Sequence, residues 1–114
     1  EKKVITISTP GKNTVEISDD DKHIKLTDQN KNEIVMNSSG ISLSSAKDIT
    51  LKAKGAITIE ATSKFSATAK QDVSLEGLNV NMQAKVSAAV KGNAKAELSA
   101  SGQTTVKGAM VMIN

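Results

Sequence analysis

In 114 residues the chain has a single aromatic side chain, Phe65, and no cysteine, which excludes a disulfide-stapled scaffold, a thiolate metal site and a thiol nucleophile. Leu, Ile, Val and Phe account for 26 residues, or 23%, little more than the level below which a chain is too polar to fold by burying its own surface. Fifteen lysines against twelve acids give a net charge of +3; without arginine for bidentate phosphate contacts or aromatics for base stacking, nucleic-acid binding lacks its usual tools.

The start, Glu1-Lys2-Lys3, is not a signal peptide and carries no initiator methionine, so the sequence reads as a piece of a longer protein. Residues 1–40 predict strands with longer connections. Ile5-Thr6-Ile7, Val15-Glu16-Ile17, Ile24-Lys25-Leu26 and Ile34-Val35-Met36 begin at intervals of ten, nine and ten. They are separated by TPGKN, DDDKH and DQNKN, all rich in turn formers. An antiparallel meander and wide coils of a helical repeat both fit this spacing. The acids Asp19, Asp20, Asp21 and Asp28 fall in the turns, where carboxylates are normally solvated, and His23 reads as a surface residue. No nucleophile, base or phosphate loop accompanies them, so no catalytic, metal or cofactor site is expected.

From Ile41 to the end the chain falls into rows of eight: ISLSSAKD, ITLKAKGA, ITIEATSK, FSATAKQD, a seven-residue VSLEGLN, then VNMQAKVS, AAVKGNAK, AELSASGQ, TTVKGAMV and a closing MIN. Positions one and three are mostly apolar around a polar residue, the period-two pattern of a short strand with one buried face. Position five is small in all nine rows: Ser45, Ala53, Ala61, Ala69, Gly77, Ala84, Gly92, Ala100 and Gly108. A small residue after each strand predicts a corner where backbones crowd or dihedrals are unusual. Gln83 to Gly102 has the Ala and Lys content of an amphipathic helix, but Gly92 and the unbroken spacing of Met82, Val90, Leu98 and Val106 favour strands. Two inward side chains per row are too few to close a core within one chain, which points to several chains sharing one.

Val90-Lys91-Gly92, Val106-Lys107-Gly108 and Leu75-Glu76-Gly77, set on this period, resemble the intertwined trimeric β-helix of phage cell-puncturing spikes. The segment from Thr9-Pro10-Gly11-Lys12-Asn13-Thr14 through Val15-Glu16-Ile17, Asp19-Asp20-Asp21 and His23-Ile24-Lys25-Leu26 is similar to the lead-in to the spike of VgrG proteins of type VI secretion systems. Lys107 to Asn114 resembles the end of that family. The resemblance implies an all-β, homotrimeric, triple-stranded β-helix, a triangular prism built from 41–114, with the looser β region 1–40 before it and a tip at 109–114. At one strand spacing of ~4.8 Å per row, such a prism would be a needle roughly 40 Å long.

The implied role is non-enzymatic: a puncturing spike of a contractile injection machine that transmits force and crosses a target membrane mechanically. It would be assembled in the bacterial cytoplasm, delivered outside or into target cells, and joined to tail-tube components through preceding domains. Met110, Val111, Met112 and Ile113 form the longest apolar cluster. They either close the core or, with Asn114, make a docking platform, since exposed apolar surface beside open strand edges predicts a capping partner. In the resembled family that partner is a PAAR-repeat tip protein with attached effectors. The alternative is a trimeric phage tail fibre or adhesin shaft with a receptor-binding role, though its tip would be expected to carry aromatics and loops.

Overall fold

A computed structural model describes residues 3–114. The chain divides into two units, Glu1–Lys64 and Phe65–Asn114. In the first, five strands of five residues each, β1 (Val4–Ser8), β2 (Thr14–Ser18), β3 (His23–Thr27), β4 (Glu33–Asn37) and β5 (Gly40–Ser44), form one sheet in sequence order. Every neighbouring pair is antiparallel. The described part of the region before Ile41 is thus a meander rather than wide coils. The first row of eight contributes its strand, Ile41-Ser42-Leu43, to the same sheet as β5.

Turn chemistry explains why the strands fold back where they do. Between β1 and β2, Thr9 N donates to Asn13 O at 3.0 Å and Lys12 N to Thr9 O at 2.9 Å. Between β3 and β4 the same pattern returns: Asp28 N donates to Asn32 O at 3.1 Å and Lys31 N to Asp28 O at 3.2 Å. Lys12 and Lys31 take the equivalent left-handed position, with φ of 71° and 70°. TPGKN and DQNKN are therefore one loop used twice, 19 residues apart. The β2–β3 turn closes as Asp21 N donates to Ser18 Oγ at 3.0 Å. Asp20 Oδ2 accepts from Lys3 N at 2.8 Å, tying the start of β1 to this end of the sheet. At the β4–β5 turn, Asn37 Oδ1 accepts from Ser39 N at 2.9 Å. Gly40 follows at φ 119°, a conformation side-chain-bearing residues rarely adopt.

The register sorts the sheet into two unlike faces, because side chains alternate along each strand. One face carries two uninterrupted apolar ladders: Ile5, Ile17, Ile24, Met36 and Ile41 in one, and Ile7, Val15, Leu26, Ile34 and Leu43 in the other. The opposite face holds Thr6, Glu16, Lys25, Glu33 and Ser42 among others. Lys25 Nζ lies 3.6 Å from Glu33 Oε2, and His23 Nε2 lies against Glu16 Oε2. His23, expected at the surface, is half-buried in this contact.

Beyond Ser44 the described residues form no strand paired within the chain and no helix; Gln83 to Gly102 is not helical. In the first unit the chain bends at 46–47, 54–55 and 62–63; in the second it bends at 70–71, 78, 85–86, 93–94, 101–102 and 109–110. The interval is eight residues throughout, except for the seven that follow from the short row VSLEGLN. The sequence repeat is thus also a backbone repeat.

Candidate functional site

No apolar side chain among the described residues is buried; Ser18 is, at 3% exposure. Across the sheet, Ile24 and Met36 at the centre are shielded only by neighbouring strands, and Ile5, Ile7, Ile41 and Leu43 at the edges are more open still. Ten side chains on one face with nothing packed over them form an interface in physical terms. Burying even half of an exposed isoleucine is worth on the order of 1 kcal/mol, so this face is a strong driving force for association.

The small residues of the repeat each stand immediately before a bend, from Ser45 at 46–47 through Ala53, Ala61, Ala69, Gly77, Ala84, Gly92 and Ala100 to Gly108 at 109–110. At Ser45 the hydroxyl stitches the bend: Lys47 N donates to Ser45 Oγ at 3.1 Å, and the hydroxyl donates to Asp48 O at 2.9 Å. At Gly92 the need for a small residue is steric. A Cβ there would lie 2.0 Å from Lys95 O, inside any tolerable contact, so the backbone would have to move. Gly77 and Gly108 are tighter than ordinary packing in the same way, each against a backbone carbonyl 3.2 Å away. At the terminus, Met110, Met112 and Ile113 are largely exposed, Val111 about half so, and Asn114 is exposed beside them.

Sequence reasoning missed one set of residues. Asn13 Oδ1 accepts from Gln29 N at 2.9 Å, which joins the first five-residue loop to the second. The equivalent Asn32 Oδ1 accepts from Ala46 N at 2.9 Å, which joins the second loop to the chain leaving β5. These two asparagines hold one end of the sheet together and set where the first bend begins. The signal was present in the shared Lys-Asn ending of TPGKN and DQNKN, but it lies in turns, which an apolar periodicity does not sample. Asp28 braces the second loop by accepting from Asn32 N at 2.8 Å and Asn30 N at 2.9 Å. The Asn32 backbone N–H, followed by the Asn32 side chain, holds the Asp28 carboxyl below the usual carboxylate range against an opposing effect of desolvation, with weaker help from Asn30.

Asp19, Asp20 and Asp21 do not converge, and no group of three metal-ligating side chains lies among the described residues. What the geometry defines is an assembly module: an all-β chain with an open apolar face and a periodic backbone that forms no ladder with itself.

The comparison with known families agrees with that class. Residues 4–114 match the phage baseplate V C-terminal trimerisation domain, and the chain belongs to this family. The family is a structural trimerisation domain of a baseplate or spike protein and not an enzyme family, consistent with the C-terminal spike domain of a VgrG-type protein. No curated protein matches the chain.

Proposed function

We propose that three copies wind into a triangular β-helical prism that serves as the puncturing spike of a contractile injection machine and docks a PAAR-type tip protein on its C-terminal end. The observation that carries this reading is the coincidence of period and pairing: a bend every eight residues, with a small residue before it, in a backbone with no strand partner in its own chain beyond Ser44. Backbone N–H and C=O groups need partners wherever they are taken from water, and apolar residues at positions one and three need a core. Two further copies supply both at once.

In such a prism the bends become the edges, where the chain passes from one face to the next and a bulky side chain would collide. The rigidity needed to transmit force follows from closing every strand edge, because bending then breaks many main-chain hydrogen bonds together. The same account places the spike first in the bacterial cytoplasm and then outside or inside the target cell, carried by tail-tube components attached through preceding domains.

Met110, Val111, Met112, Ile113 and Asn114 from three chains make a blunt apolar end, the surface we assign to the PAAR-type protein and its effectors. Retention of a PAAR protein by the full chain and by a chain lacking Met110–Asn114, both verified by mass to be trimeric, tests the assignment. The reading requires capture by the full chain and loss on truncation. Equal retention, or no capture by either, removes the docking role.

A further inference from the structure

Rows that repeat this closely create a problem of alignment. Positions one, three and five carry the same kind of residue in most of the nine rows. A chain displaced by eight residues therefore presents nearly the same apolar and small side chains to its partners. Register is strongly specified only where a slip misplaces side chains, and a slip of one full row misplaces few. The meander at the start of the rows does not remove the problem, because a chain that extrudes one row further along regains the same pattern.

One row breaks the period. Val73 to Asn79 has seven residues. Its strand positions are intact, with Val73 and Leu75 in place and Val80 and Met82 opening the next row, so the missing residue belongs to the connection between them. The backbone records the same event: the chain bends over one residue, Leu78, where every other row bends over two. Local packing does not account for the shortening. Leu78 is fully exposed, so no contact of its side chain holds the bend short. The crowding at Gly77, where an added Cβ would lie 3.2 Å from Asn79 O, recurs at Gly108 against Met110 O in a row of full length.

We propose that the short row is a register key, which admits three chains into the shaft in one alignment and excludes alignments displaced by whole rows. In register, the three short connections fall at one level and match. A chain one row out sets its short connection beside two full ones and, at the neighbouring level, a full connection beside two short ones. The mismatch at each level is one residue, about 3.5 Å of chain reach. A single irregular position fixes alignment in other repetitive assemblies by the same logic, as one polar residue does in a coiled-coil seam. The proposal rests on the trimeric reading and deepens it by naming what makes the assembled state unique.

The test uses the full chain, which has no cysteine, with Lys107→Cys carrying a spin label. Lys107 stands at position four of its row, on the opposite side of the alternation from the apolar positions. Three labels around a threefold assembly give one interlabel distance, and pulsed electron resonance on the parent should show one. Inserting a serine after Leu78 completes the octad. This variant should remain trimeric by sedimentation and show additional distances, from chains displaced by steps of ~4.8 Å along the shaft. A second variant combines that insertion with deletion of Ser101, which moves the seven-residue row to 96–103, and should return to one distance. An insertion variant that keeps the parent's single distance or no longer assembles would overturn the proposal, as would several distances in the trimeric parent or a relocated variant that does not return to one. A monomeric parent would instead overturn the assembly reading, so the two failures are distinguishable.

Discussion

Asn13 and Asn32 occupy equivalent places in two copies of one loop, and each spans from its own loop to the next connection at that end of the sheet. The bond from Ala46 N to Asn32 fixes the point at which the chain leaves β5 for the first bend. Replacing Asn32 by alanine removes that acceptor and leaves the exposed Ala46 N–H to water, a loss of about 0.5–1.5 kcal/mol. Thermal unfolding at neutral pH measures it; an unchanged midpoint would show that the staple is ornamental. The neighbouring Asp28 adds a pH signature with a definite sign. Its folded pKa is depressed chiefly by the Asn32 backbone N–H, so its stabilising contribution is complete above its unfolded pKa of about 3.9 and is lost as pH falls through the lower folded value. Asp28→Asn should therefore flatten the acid limb of the midpoint profile below about pH 4 and leave the profile shape near neutrality unchanged.

The meander shows why some elements were legible from sequence and others were not. Ile5-Thr6-Ile7, Val15-Glu16-Ile17, Ile24-Lys25-Leu26 and Ile34-Val35-Met36 alternate and are punctuated by turn formers, and each sits in a strand. Their spacing left the choice between meander and coil open, because a connection of four or five residues permits either. The choice was made by hydrogen bonds within the turns, including left-handed Lys12, Lys22 and Lys31, which hydrophobic patterning does not register. Ile41-Ser42-Leu43 reads as the first tight row, yet the two-residue turn at Ser38-Ser39 with Gly40 after it folds it back onto β4. The small residues of the later rows, by contrast, stand out in sequence by their fixed spacing, and at Gly77, Gly92 and Gly108 the backbone is too crowded for an added Cβ. At this scale the open apolar face makes a strong demand: Leu26→Lys places a charge in the middle of it, between Val15 and Ile34. Sedimentation of that variant is expected to show loss of the assembled species at concentrations where the parent is fully associated. A variant that assembles as well as the parent would mean this face is not an interface.

For the whole molecule the sparse composition and the exposed structure express the same property. A chain with 23% Leu, Ile, Val and Phe and no buried apolar side chain among its described residues has little with which to offset the entropy of ordering its backbone, about 1–2 kcal/mol per residue. Membership of a trimerisation-domain family supplies the missing component; in the proposed prism, two inward side chains per row from each of three chains would stack into a continuous narrow core where one chain makes none. The near absence of aromatics suits such a core, which has no room for large rings at its axis. Folding and assembly should then be a single process, with stability that depends on protein concentration. The central claim is that the chain is folded only as three copies, and sedimentation equilibrium of the purified chain tests it most directly. A folded species of about 36 kDa, three times the 11.9 kDa chain, is expected across the accessible concentration range. A folded, cooperatively melting monomer of a single chain's mass would contradict it.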